Sequence, residues 1–311
     1  MAMMHITDEQ VEASSNIRGV TDELALAFLD LGRGDAATTV RVRAHADAGD
    51  AAAMSAIYPR RGVGGGKLYM NSSNGRAFLI ALFADDGSLL ATFDGEAITA
   101  ERTAAATALA TRTMARPGSR TAALFGTGVQ AGWQAQALAS ELPLDDLRIV
   151  GRSEDKTRAL VQWCEDRGIG ARATGAREAV TDADVVVTVT ATSAPLFDGD
   201  WLADGALVCG VGSTKATRRE LDAATVRRAH LIVTDSVEGA QTEAGDLIAA
   251  AADGILDWSR VIGLDQFIAE QRAVPASGVR LFESQGVAIE DVVGAWHVLR
   301  RLGLHGDRLA S

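Results

Sequence analysis

Ala122-Ala-Leu-Phe125-Gly126-Thr127-Gly128-Val129-Gln130-Ala131-Gly132 is the stretch that decides the fold. An apolar run breaks into Gly-x-Gly-x-x-Ala and continues as a helix-forming segment. Gly126 permits a tight strand-to-helix turn, Gly128 lets backbone amides approach a pyrophosphate, and small Ala131 lets the helix pack against the strand. The helix N-terminus would then face the phosphates with its free amides and the positive end of its dipole.

The segments around this turn have the rhythm such a site requires. Strands are predicted at Arg120–Phe125, Leu147–Val150, Ala171–Ala173, Val185–Thr190, Ala206–Val211 and Leu231–Thr234, with helices at Val129–Leu142, Ser153–Arg167 and Ala176–Thr181. Short apolar strands separated by helices indicate a parallel sheet covered on both faces. The residues before it read differently. Thr7–Leu31 suggests two short helices with a cap-like Thr21-Asp22-Glu23. Alternating strands follow at Thr39–Ala44, Ala52–Tyr58, Lys67–Asn71, Phe78–Phe83 and Leu89–Phe93, the last two joined by an Asp85-Asp-Gly87-Ser turn. An alanine-rich helix from Thr99 to Arg112 is stopped by Pro117-Gly118. Phe282, Val287, Ile289, Val292, Val293 and Trp296 then fall at helical spacing. The expected fold is α/β: a Rossmann doubly wound parallel sheet over 117–285, plus an α+β domain rich in antiparallel strands over 1–116, completed by 286–311.

Composition narrows the function classes. The chain has 311 residues, 47% apolar, with a formal net charge of −11. That balance suits a globular enzyme and argues against nucleic acid or an anionic membrane as partner, since both call for a basic face. Cys164 and Cys209 stand far apart in apolar or helical surroundings, so neither a disulfide framework nor a Cys-x-x-Cys site is expected, and a reducing cytoplasm fits. Met1-Ala-Met-Met-His-Ile-Thr-Asp-Glu does not resemble a signal peptide, and no apolar run reaches the roughly 20 residues that span a bilayer. His5, His45, His230, His297 and His305 are scattered, so no metal is expected.

The cofactor is read at the tip of the second strand of the parallel sheet. A carboxylate there would accept from a free ribose 2′-hydroxyl and repel a 2′-phosphate. The strand ends instead in Ile149-Val-Gly151-Arg152-Ser153, offering a guanidinium fork and a hydroxyl suited to phosphate. NADP(H) is therefore favoured over NAD(H). The other reading leaves Arg152 a solvated turn residue, with Glu154 or Asp155 reaching the ribose.

The sequence also resembles the ornithine cyclodeaminase and mu-crystallin family along nearly its whole length. Matching stretches are Ile98-Thr-Ala-Glu-Arg102-Thr103-Ala-Ala, Phe125-Gly-Thr-Gly-Val-Gln130-Ala131, Val187-Thr-Val-Thr190-Ala191-Thr192, Arg219-Glu-Leu-Asp222, Glu243-Ala-Gly-Asp246 and Phe282-Glu-Ser284-Gln-Gly286-Val-Ala-Ile-Glu290-Asp291. The resemblance implies a homodimer whose first domain carries the substrate and dimer contacts. It places substrate binding at Arg41, Met54, Lys67 and Arg102, with Arg41 and Arg102 on the substrate carboxylate and Lys67 at the reacting carbon. Cofactor binding falls on Thr103, near the nicotinamide, and on Gly126, Thr127, Gly128, Val129, Gln130, Arg152, Ser153, Thr190, Ala191, Thr192 and Ser284. Arg43, Arg60 and Arg61 receive no such role.

In the cyclodeaminases of this family an aspartate activates water or handles protons; here Thr214 aligns with it. A hydroxyl, whose pKa lies far above 7, cannot be that base. The expectation is thus an imine reductase of the mu-crystallin type. A nicotinamide would deliver hydride to an α-imino carboxylate such as pyrroline-2-carboxylate, piperideine-2-carboxylate or an imine formed from an α-keto acid and an amine. A guanidinium fork suits the carboxylate and fixes the carbon against the nicotinamide. Lys67 either pairs with that carboxylate or has a depressed pKa. An alanine-type amino-acid dehydrogenase, ornithine cyclodeaminase and a non-catalytic NADP(H)-binding protein are the alternatives.

Overall fold

The computed structural model describes residues 4–304. His305 and the first three residues therefore lie outside the described residues.

Two units are present. The first comprises the described residues of Met1–Ala105, Ile268–Glu270 and Gly286–Ser311, and the second Ala106–Phe267 and Gln271–Gln285.

In chain order the first unit contains β1 (His5–Ile6), α1 (Asp8–Ala13), α2 (Ile17–Arg33), β2 (Ala37–Thr38), β3 (Val42–Ala46), β4 (Gly49–Tyr58), β5 (Val63–Ser72), β6 (Gly75–Ala84), β7 (Leu89–Phe93) and the start of α3 (Glu96–Met114). The start of the second helix differs from expectation. Thr7 forms a capping box with Gln10, and Asn16 caps α2 by accepting from the Gly19 amide. Thr21 lies inside α2, where its hydroxyl donates to the Ile17 carbonyl at 2.8 Å. Thr-Asp-Glu mimics a cap in sequence, but α2 had already been nucleated a turn earlier.

The sheet of this unit runs β1-β7-β6-β5-β4-β2, with β3 also on β4. β1 lies parallel to β7 and the other pairs are antiparallel. β5 begins at Val63 rather than Lys67, because the run Gly64-Gly-Gly66 belongs to the strand. Built Cβ atoms at Gly65 and Gly66 would lie 2.1 Å from the Ala81 carbonyl oxygen and 2.5 Å from that of Met54. These glycines let three strands approach closely, as strand glycines often do. The last described helix, Ala288–Arg301, packs on β4, β5, β6 and α2. Phe282 is not part of it and lies in a strand, Val279–Glu283.

The uncovered face of this sheet is apolar. Ile57 is 60% exposed, Leu68 54%, Met70 50%, Leu79 45% and Phe83 39%. Arg60 and Arg61, in the turn between β4 and β5, serve the covered side. Arg61 forks onto buried Glu23 at 2.8 and 3.1 Å, Glu23 also accepts from the Tyr58 hydroxyl at 2.6 Å, and Arg60 forks onto Asp30.

The second unit holds β8 (Thr121–Phe125), α4 (Val129–Glu141), β9 (Asp146–Val150), α5 (Glu154–Glu165), β10 (Ala171–Ala173), α6 (Ala176–Val180), β11 (Val185–Thr188), β12 (Leu207–Gly210), α7 (Ala223–Arg228), β13 (Ala229–Thr234), α8 (Val237–Glu243), α9 (Gly245–Ala252), β14 (Val261–Gly263), α10 (Leu264–Ala269) and β15 (Val279–Glu283), ahead of α11 (Ala288–Arg301). Its sheet is parallel throughout, in the order β10-β9-β8-β11-β12-β15-β13-β14. The fold is thus mixed α/β, with one parallel sheet and one mostly antiparallel sheet. β8 lies between β9 and β11, the point where strand order reverses and where open α/β sheets bind their ligands beyond the strand ends. β15 slots between β12 and β13, a long-range pairing that local periodicity does not reveal.

Among the described residues no helix is long and apolar enough to cross a membrane, and no group of His, Cys, Asp and Glu could hold a metal ion.

Candidate active site

Strand alternation determines what Lys67 faces. In β5, Lys67 and Tyr69 point to the covered side while Leu68 and Met70 point away, and Met54 of β4 is the residue directly across from Lys67. Lys67 is 3% exposed. Its ammonium donates to Asp291 Oδ1 at 2.7 Å and to Thr99 Oγ1 at 3.3 Å. Arg102 Nε donates to the same Asp291 oxygen at 3.1 Å, and Arg102 Nη1 to Glu290 Oε2 at 2.6 Å. Arg41 Nη2 donates to the Gly286 carbonyl at 3.1 Å. Gly286 has φ +78° and lies against the Arg102 guanidinium, so that a Cβ there would fall 2.6 Å from Nη1. Arg41, Lys67, Arg102 and Met54 are therefore brought together within one unit.

Charged groups are dense in this cluster: the cations Arg41, Lys67 and Arg102 stand with the carboxylates of Glu290 and Asp291. Burial pushes the Lys67 ammonium down from 10.5 to about 7; Asp291 raises it, and Arg102 and Arg41 lower it further.

In the second unit the turn after β8 has the form of a phosphate cradle. Gly126 has φ +125°, and a Cβ there would lie 2.6 Å from the Val189 carbonyl oxygen. Gly128 is the N-cap of α4 with no side chain capping the helix, and a Cβ there would meet open space. The first amides of α4 are thus left for a ligand. Val129 is exposed, Ala131 is fully buried, and Gln130 carries a buried Oε1 with no hydrogen-bond partner. Thr127 lies beside Gly151, where a Cβ would be 2.6 Å from its Cγ2. These residues fit a dinucleotide. At the tip of β9, Arg152 is exposed, and Ser153 caps α5 by accepting from the Lys156 amide at 3.4 Å.

Thr190, Ala191 and Thr192 follow β11, across the switch point from the glycine turn. Thr192 N donates to Thr190 Oγ1 at 3.3 Å. Ser284 is buried and its hydroxyl donates to Asp235 Oδ2 at 3.0 Å. Thr103, in the first unit, donates to the Thr99 carbonyl at 2.6 Å. Burial pushes the Glu220 carboxyl up, while donors from Thr190, Thr188 and Gly212 pull it back.

The model of the ornithine cyclodeaminase/mu-crystallin family matches residues 1–303. The chain belongs to the ornithine cyclodeaminase/mu-crystallin family. Mouse ketimine reductase mu-crystallin is 33% identical over 220 residues, covering 71% of this chain and 67% of that protein. A probable ornithine cyclodeaminase from Bordetella pertussis Tohama I is 36% identical in sequence, with a TM-score of 0.91 over 98% of both chains. Thermococcus litoralis Delta(1)-pyrroline-2-carboxylate reductase, solved in complex with NADH and L-proline, is 27% identical, also with a TM-score of 0.91 over 98% of both chains.

Family membership and geometry together expose what sequence reasoning passed over. Glu290 and Asp291 open α11. Acidic residues in a first helical turn ordinarily complement the helix dipole, so their type and position carry an ordinary explanation that hides a second use. Glu290 and Asp291 are both fully buried, a state that carboxylates seldom reach unpaired; that, and not the motif, marks them.

Proposed function

We propose that this chain is an NAD(P)H-dependent imine reductase acting on an α-imino carboxylate, either cyclic (pyrroline-2-carboxylate or piperideine-2-carboxylate) or open-chain. The observation that carries this reading is the convergence of Arg41, Lys67 and Arg102, the last two buried, beside Gly286 and Asp291. Cationic groups gathered in this way suit a substrate carboxylate. Ketimine and pyrroline-2-carboxylate reductases among the relatives support the substrate class.

The roles follow from the contacts. Arg41 anchors the carboxylate. Arg102, with Nε and Nη1 turned to Asp291 and Glu290, adds its charge and holds the aspartate beside Lys67. Lys67, poised near pH 7, donates a proton to the imine nitrogen. When bound, a reduced nicotinamide supplies the hydride that the imine carbon accepts. Hydride and proton together saturate the C=N bond, leaving Lys67 as the neutral amine, which regains a proton after product leaves. Thr214, half-buried with its amide donating to the Gly212 carbonyl at 3.0 Å, offers no carboxylate for deaminative chemistry.

On the cofactor side, the glycine turn and the open end of α4 hold the pyrophosphate, with Thr190, Ala191, Thr192 and Ser284 toward the nicotinamide. Arg152 and Ser153 favour NADPH over NADH. The apolar face bearing Ile57, Leu68, Met70, Leu79 and Phe83 is the contact surface of a homodimer.

The test is an NADPH- and NADH-oxidation screen over cyclic imino acids and keto-acid/amine pairs. Turnover of imino acids supports the reading, and oxidation only in the amino-acid direction with release of ammonia points to a dehydrogenase.

A further inference from the structure

Glu220 is fully buried, and no part of the chemistry above uses it. Its carboxylate accepts four hydrogen bonds. Oε1 takes the Thr190 amide at 2.6 Å and the Thr190 hydroxyl at 2.6 Å; Oε2 takes the Thr188 hydroxyl at 2.9 Å and the Gly212 amide at 2.7 Å. Those donors stand where β11 and β12 end, so one side chain fastens two adjacent strand tips. The approach is close enough to exclude any side chain at Gly212, where a Cβ would lie 2.2 Å from the Thr190 carbonyl oxygen and 2.6 Å from Glu220 Oε1.

The main chain of Glu220 is fastened as well. Its carbonyl accepts from the Leu196 amide at 2.8 Å, closing the far end of the segment that begins at Thr190. Asp246 Oδ1 accepts from the amides of Glu220 and Leu221 at 2.8 Å each. Side chain and backbone of one residue thus hold both ends of the 190–196 segment, and Asp246 holds that residue.

We propose that Glu220 is a positioning residue for the nicotinamide cofactor: by clasping the strand tips at Thr190 and Gly212 it keeps the Thr190–Thr192 segment in the shape that receives the dinucleotide. The proposal rests on the reading that a nicotinamide dinucleotide binds beyond the ends of this sheet. Amides on both oxygens demand an acceptor on each, so the substitution Glu220→Gln puts an NH2 group against the Thr190 or the Gly212 amide and opens one side of the clasp.

The experiment titrates full-length wild type, Glu220→Gln and Thr188→Val with NADPH and NADH by fluorescence, and measures cofactor KM, imine KM and kcat with pyrroline-2-carboxylate. For Glu220→Gln, cofactor Kd and KM are expected to rise about tenfold, with kcat at saturating cofactor within about threefold and imine KM unchanged. A role confined to stability would reduce the active fraction and kcat and leave cofactor Kd where it was, which overturns the proposal. Thr188→Val is isosteric and removes one donor of the four; a Kd increase of about threefold supports the clasp even where Glu220→Gln does not fold, and an unchanged Kd overturns it in that case. Wild type that binds neither nucleotide overturns the cofactor reading and the clasp with it, whereas normal wild-type binding with an unaltered Glu220→Gln overturns the clasp alone.

Discussion

Lys67 and Asp291 stand 224 residues apart in sequence and 2.7 Å apart in space, each almost wholly removed from solvent. The pair ties the middle strand of an antiparallel sheet to the first turn of the last described helix. Breaking such a buried pair from one side typically costs about 3–5 kcal/mol, so the partners act as a unit.

The first prediction concerns rate against pH. With Lys67 as the proton donor and its pKa near 7, kcat/KM falls as pH rises through about 7, because the ammonium is lost. Asp291 raises that pKa, so Asp291→Asn shifts the descending limb to lower pH. A profile that instead rises through 7 would assign the neutral amine the active role and reject Lys67 as the acid. Lys67→Ala should lose at least about a hundredfold in kcat with cofactor Kd unchanged.

The same group makes stability depend on pH. Its folded pKa lies below its ordinary 10.5, so below pH 7 it is charged in both folded and unfolded chain and the cost of burying the charge is felt in full. Between about 7 and 10.5 the unfolded chain holds the proton and the folded chain does not, so stability rises with pH, by at most about 1.4 kcal/mol per unit. Lys67→Met removes this dependence. Its denaturation midpoint relative to wild type should be highest near pH 6 and decline toward pH 9, as measured by urea titration at each pH.

Cofactor choice is tested at the tip of β9. Arg152→Ala should lower the NADPH:NADH ratio of kcat/KM by about tenfold, the worth of one charge-assisted contact to a phosphate. An unaltered ratio would remove Arg152 from phosphate recognition and leave Glu154 or Asp155 to be examined at the ribose.

The glycine turn is tested by adding one methyl group. Gly126→Ala places a Cβ 2.6 Å from the Val189 carbonyl at a φ of +125°, a strain on the order of 1–3 kcal/mol. The thermal midpoint should fall, and cofactor affinity with it. Gly128→Ala meets open space within the protein. It should therefore leave the midpoint nearly unchanged while weakening cofactor binding, if the proposed pyrophosphate site is right.

The apolar sheet face predicts oligomeric state. Leu68 is 54% exposed on the strand that carries Lys67 but points to the opposite side. Leu68→Glu places charge in the centre of the proposed dimer contact and should convert the protein to a monomer in sedimentation velocity, leaving the fold, by circular dichroism, as in wild type.

Much of the fold was legible in the sequence because its signals are local. The run from Ala122 to Gly132 specified a βα turn through the positive φ that Gly126 adopts and the open approach that Gly128 leaves, and short apolar strands separated by helices announced the parallel sheet. The strand Val279–Glu283 was not legible, since its apolar pattern runs on toward α11 and its place between β12 and β13 depends on neighbours more than forty residues away. Thr21-Asp22-Glu23 misled for a related reason: a cap motif does not start a helix already under way from Asn16.

For the candidate site, sequence determined the chemistry available and the tertiary structure decided how it is combined. The family resemblance singled out Arg41, Lys67 and Arg102 as carboxylate and proton groups, and the residues themselves marked Gly126 to Gln130 as a phosphate turn. Sequence could not decide between a Lys67 bound to its substrate's carboxylate and one with a depressed pKa, because that depends on burial and on charges brought in from elsewhere in the chain. Folding supplies both: the sheet and α11 exclude water from Lys67, and Asp291 arrives from the far end of the chain to hold it. Desolvation and long-range pairing are properties of packing, and no run of consecutive residues encodes them.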